Sequence, residues 1–179
     1  MSYFAAAVVR GAAGWSASQF SLSHAADVED VAERLRDVDP DAELSLLFVE
    51  GDEAYLVILR LDEGDDLRVF GSDAAFAEES RFGALLLGDI KEPAFDLDEP
   101  VVIDVDEPGV VAGADADEEP PPVADADPVG DPDLLTDLGI PAAQLLALCA
   151  KEGMLPSDVT AEVCQTIGCG DEVEELREA

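Results

Sequence analysis

His24 is the only histidine in the chain, so any Ser–His or Cys–His nucleophilic pair would have to be built on it. It lies in SLSHAADVED, where no neighbour supplies an activating group, and reads as a solvated histidine between a strand and a helix. The three cysteines, Cys149, Cys164 and Cys169, all fall near the C-terminus. They form no CxxC and have no histidine nearby to complete a tetrahedral zinc set, so free thiols are expected. Acidic runs such as DVDEP and DADEE alternate carboxylates as calcium loops do, but lack the central glycine and terminal glutamate of such a loop. Glu50, Asp52 and Glu53 cluster on a turn, a poor place to desolvate a carboxylate and raise its pKa. GAAG (residues 11–14) reads as a turn, and no GxGxxG or P-loop pattern offers a phosphate cradle. The residues therefore point to no catalytic group, no cofactor and no metal site.

The elements around these residues follow from apolar spacing. YFAAAVVR and WSASQFSL flank the glycine-bounded turn as a β-hairpin. In DVEDVAERLRDV, Val28, Val31, Ala32, Leu35 and Val38 share one helical face, with acids at its start and Arg34 and Arg36 towards its end. LSLLFVE and AYLVILRL are nearly continuous apolar runs, which predicts central strands covered on both sides. LRVFGS adds a strand, DAAFAEES a short helix begun at Ser72 or Asp73, and RFGALLLG a closing strand or extended arm. The order β-β-α-β-β-β-α predicts an α+β domain over residues 1–88, built on an antiparallel sheet.

From residue 89 the composition changes. Residues 89–130 hold 1 basic and 14 acidic residues and most of the prolines. Residues 89–133 therefore read as an acidic, Pro-rich linker, extended and self-repelling, with an edge strand near residues 101–105 if any part of it is ordered. Residues 134–179 return to helical spacing. Leu134, Leu135 and Leu138 make a short turn; Leu145, Leu148 and Cys149 share one face; Val159, Val163 and Ile167 share another. Pro141 and Pro156 suit helix starts, and Gly153, Gly168 and Gly170 suit stops. About 45 residues is marginal for an independent fold, so this small helical bundle must dock, either on its own sheet or on a partner.

The whole chain of 179 residues has 9 basic and 43 acidic residues, a net charge of −34. That excludes non-specific nucleic-acid binding, which needs Lys and Arg on phosphates, and favours a basic protein partner. A halophilic origin would account for the same acidity. No secretory signal and no run of membrane-spanning length is evident, which predicts a cytoplasmic protein without membrane contact. Tyr3 and Trp15 sit near the first hairpin as candidate surface anchors for a partner, and Leu145, Leu148, Val159 and Val163 as candidate apolar contacts in the tail.

Four stretches carry a family resemblance: MSYFAAAVVR with Trp15 after the turn, LLFVEGDEAYLVILRL, RVFGSDAAFAEES, and GDPDLLTDLGIPAAQLLALCAKEGMLPSDV. In them the chain resembles actinobacterial tRNA adenosine deaminase-associated proteins. The resemblance implies an association with a tRNA adenosine deaminase and transfers no catalytic or binding residue. The chain is not the deaminase itself, whose zinc chemistry needs an H-x-E and a P-C-x-x-C element; His24 is followed by Ala25 and Ala26. The expectation is a non-catalytic accessory protein that binds a basic partner, with the spacer tethering the tail at a second contact. The alternatives are a small-ligand-binding or dimerising regulatory scaffold and, less well supported, an enzyme using an unrecognised carboxylate site.

Overall fold

The structure, a computed structural model, describes residues 3–51, 55–63, 65–73, 79–87, 128–151 and 153–179. Its frame is one antiparallel sheet. β1 (Tyr3–Gly11) and β2 (Gly14–Gln19) form the expected hairpin, in which Gly11 pairs with Gly14 and Ala12–Ala13 make the turn. α1 (Val28–Val38) follows, capped by Asp27, whose carboxylate accepts from the Asp30 amide at 2.9 Å; the Asp30 carboxylate in turn accepts from the Ala26 amide at 2.9 Å. β3 (Leu44–Gly51), β4 (Tyr55–Asp62) and β5 (Asp66–Gly71) then run antiparallel beside β1.

Residues 81–87, expected as a strand or arm, form instead a helix, α2 (Arg81–Leu87). Gly83, Leu86 and Leu87 are buried at i, i+3 and i+4, a helical spacing that the short RFGALLLG run hides among consecutive apolar residues. The DAAFAEES helix and the 101–105 edge strand fall on segments that lie, wholly or mostly, outside the described residues.

A sixth strand comes from the end of the expected linker. β6 (Val129–Gly130) pairs with β5, giving the order β2-β1-β3-β4-β5-β6. A 3-10 helix (Pro132–Leu138) follows, capped by the Asp131 carboxylate on the Asp133 amide at 2.9 Å and ended by left-handed Gly139 at φ 101°. Then come α3 (Ala142–Ala150), α4 (Pro156–Ile167) and α5 (Gly170–Glu178). Gly170, expected as a stop, starts α5; Gly168 at φ 97° is what ends α4.

Strand alternation sorts the core into two layers. Ala5, Ala7, Leu47, Val49, Val57 and Leu59 face α1 and α2, together with Val31, Leu35 and Leu86. Val8, Leu46, Phe48, Leu56, Ile58 and Phe70 face the opposite way and meet Leu134, Leu135, Leu145, Val159 and Val163 of the tail. Antiparallel sheets often leave one face in water. Here both faces are covered, which is why β3 is buried along its entire length. The molecule is thus α+β, with the tail closing the second face of its own sheet.

Candidate interaction surface

Two charged residues inside the sheet fix the tail in place. Arg60, in the apolar run of β4, is 7% exposed. Its guanidinium donates to Asp62 at 2.8 and 2.9 Å, to Asp137 at 2.7 Å, and to the Leu134 carbonyl, the last two on the 3-10 helix. The hydrogen bond from Arg60 holds the Asp137 carboxyl below its usual range, partly offset by burial. Glu50, at the end of β3, is likewise 7% exposed and accepts from Arg177 of α5. The Arg177 guanidinium carbon lies 4.5 Å from the Phe4 ring centroid. Among the described residues, every buried side-chain nitrogen and oxygen has a partner. Glu50 is therefore an ion-paired residue that clasps α5 to the sheet.

The residues singled out as contacts divide. Leu145, Val159 and Val163 are 0%, 3% and 0% exposed in the tail-side core, so in this fold they offer no surface to a partner. Leu148 is half-buried at the margin of the same cluster. Tyr3 is also a packing residue: its hydroxyl accepts from the Leu22 amide at 3.1 Å, and its ring lies 4.4 Å from that of Phe82. Trp15 keeps an exposed part. It is half-buried on β2 against the tail-side core, with the Arg10 guanidinium carbon 5.9 Å from its ring centroid. His24 is exposed in the turn before α1.

The cysteines belong to the tail-side core. Cys164 and Cys169 are fully buried and Cys149 partly so. Burial pushes the Cys149 thiol up to about 12. A hydrogen bond with Cys169, burial and the nearby Glu50 carboxylate together drive the Cys164 thiol upward, only partly opposed by Arg177. A disulfide reagent at mild alkaline pH should therefore modify native protein far more slowly than protein unfolded in urea, in which all three thiols react. Rapid native modification of even one thiol contradicts this placement. Among the described residues, no three His, Cys, Asp or Glu side chains converge to hold a metal ion. Among them, too, no single helix is long and apolar enough to cross a membrane.

The last helix turns acidic side chains outward. α5 exposes Asp171, Glu174, Glu175 and Glu178, while its one basic residue, Arg177, is engaged with Glu50. Between α4 and α5 a groove of about 300 Å³ is lined by Ser157, Asp158, Ala161, Gln165, Glu174 and Arg177. Burial in the central strands gave notice of the core, but nothing in the local sequence announced the groove, since its walls come from two helices joined at the Gly168–Cys169 turn.

The fold is that of an α+β protein whose last helix carries outward carboxylates. The family described as Rv3753c-like tRNA adenosine deaminase-associated protein matches residues 3–170, and the chain belongs to that family. The match takes in the sheet and the tail as far as Gly170, the first residue of α5. No curated protein and no solved structure matches the chain.

Proposed function

We propose that the chain is a non-catalytic, cytoplasmic accessory protein that binds a tRNA adenosine deaminase through the acidic outer face of its tail. The observation that carries this reading is the net charge of −34, with α5 turning four carboxylates outward and no free cation of its own. An enzyme that acts on tRNA must present Lys and Arg where phosphates lie. An acidic surface is complementary to that ground and would be steered to it by long-range attraction. The half-exposed side chains of Leu148 and Leu155 would supply the apolar part of the contact.

Size-exclusion chromatography with the purified tRNA adenosine deaminase of the same organism tests the reading. Co-elution is expected at about 0.1 M salt and its loss at about 1 M, where screening shortens the range of charge from roughly 10 to roughly 3 Å. Replacing Glu174 and Glu175 together by lysine should weaken the complex without lowering thermal stability. Separate elution at low salt overturns the proposal.

A further inference from the structure

The two rims of the sheet are finished differently. β5 is partly covered by β6, whereas β2 is a terminal strand, and among the described residues nothing hydrogen-bonds to its outer edge. The Phe20 amide donates to the Ala5 carbonyl at 2.9 Å, and Ser18 and Ser16 lie opposite Ala7 and Val9. Antiparallel alternation then has Ser16 and Ser18 exchanging bonds with β1, while Trp15, Ala17 and Gln19 turn their N–H and C=O groups outward. Natural edge strands are commonly guarded by lysine, proline, an inward charge or a bulge. GWSASQ has no charge and no proline, and its pairing with β1 is unbroken from Gly14 to Gln19.

The surroundings indicate what fits there. From Gly11 to Ser23 the chain has no charged residue, although 43 of its 179 residues are acidic. The nearest charge along the strand pair is cationic, Arg10 over Trp15. A basic strand would find no carboxylate on β2 itself. A second copy of the same strand would bring no like charge into the pairing line.

We infer that β2 pairs antiparallel with β2 of a second copy, about a two-fold axis through Ala17, joining two six-stranded sheets. The contact is isologous, as a two-fold pair requires. Ala17 faces its own counterpart, where a small side chain lets the backbones approach. Trp15 faces Gln19 of the partner subunit, so the outward donors and acceptors of the three edge residues are satisfied together. α5 packs beneath β2 and β1. Pairing therefore draws two acidic helices towards each other, and their repulsion opposes it. Self-association must then strengthen as salt rises, opposite in sign to docking on a basic protein.

Sedimentation velocity on the full chain, from low to high micromolar concentration, tests this. The expected result is the 18.8 kDa monomer at about 0.1 M salt and growth towards twice that mass at about 1 M. Trp15, the only tryptophan, should shift its emission to shorter wavelength in step with the mass. Ala17→Pro and Gln19→Pro each remove an outward N–H that makes no bond to β1, and should keep the far-UV spectrum while abolishing the dimer. A wild-type chain that stays monomeric at high salt overturns the inference. So does a dimer that forms without a change in Trp15 emission, or one that survives in folded Gln19→Pro protein.

Discussion

Replacing Gly130 by alanine should lower stability by about 3 kcal/mol. Two costs add. Gly130 holds φ 91°, a region L-residues rarely enter, and an added Cβ would overlap the backbone carbonyl oxygen of Val69 and crowd the Phe70 Cα. Neither can yield, because both belong to β5, which is paired along β4. The residue stands at the point where the chain leaves the sheet rim for the tail. Immediately after it the Asp131 amide donates to the Val69 carbonyl at 2.9 Å, and the Asp131 side chain caps the 3-10 helix that delivers Leu134, Leu135 and Asp137. Gly153→Ala is the control: it has a positive φ of 79° but nothing within 4 Å of the added carbon, so it should cost only about 1 kcal/mol. Urea unfolding of both variants measures the difference. Equal losses would show that strain alone, without the clash at β5, accounts for Gly130.

How legible this arrangement was depended on the range of the forces involved. The first hairpin, α1 and the central pair β3–β4 are written in local periodicity and turn residues, and the unbroken apolar runs of β3 and β4 already demanded cover on both faces. The two-residue β6 has no such signal. Pro128 and Pro132 bracket it, its neighbours are acidic, and only pairing with β5 makes Val129 and Gly130 a strand. The same holds for α2, whose burial at i, i+3 and i+4 becomes visible only when α1 and the sheet are in place. Sequence leaves tail docking open between sheet and partner, because Leu145, Val159 and Val163 look alike in either case. Their burial against Phe48, Ile58 and Phe70 is a long-range fact. One clue did exist. A lone arginine inside LVILRLD must find an anion or carbonyl, since an unpaired charge in a core costs several kcal/mol. Its partner Asp137 is 77 positions away, beyond the reach of any pattern in the sequence. Glu50 and Arg177 repeat the lesson at a separation of 127. The cost of closing such long loops grows only slowly with length, so an acidic spacer can intervene without forfeiting the contact.

That arginine supplies the second large effect. Arg60→Ala should destabilise the fold by about 3 kcal/mol, and the loss should fall on the seam between sheet and tail. The two carboxylates it serves are not equally stranded by its removal. Asp62 and Asp137 have side chains 27% and 60% exposed, so both can take up water again. The buried Leu134 carbonyl cannot, and the space vacated by the arginine stem lies in the tail-side layer beside residues that are fully covered. Asp137→Asn, which keeps the shape and forfeits only the charge, should cost about 1 kcal/mol because its carboxylate is so well hydrated. The pH dependence follows from the direction of one shift. Arg60 is held protonated by its carboxylates and does not titrate in any accessible range. Asp137 is depressed below its ordinary 3.8, chiefly by the bond from Arg60. A depressed carboxylate contributes stability in full above its unfolded value and loses it as pH falls through the folded one. The stability gap between wild type and Asp137→Asn should accordingly stay constant from neutrality down to about pH 5 and close below about pH 4. A gap that persists unchanged to about pH 3 would mean that the carboxylate charge takes no part in holding the tail on the sheet.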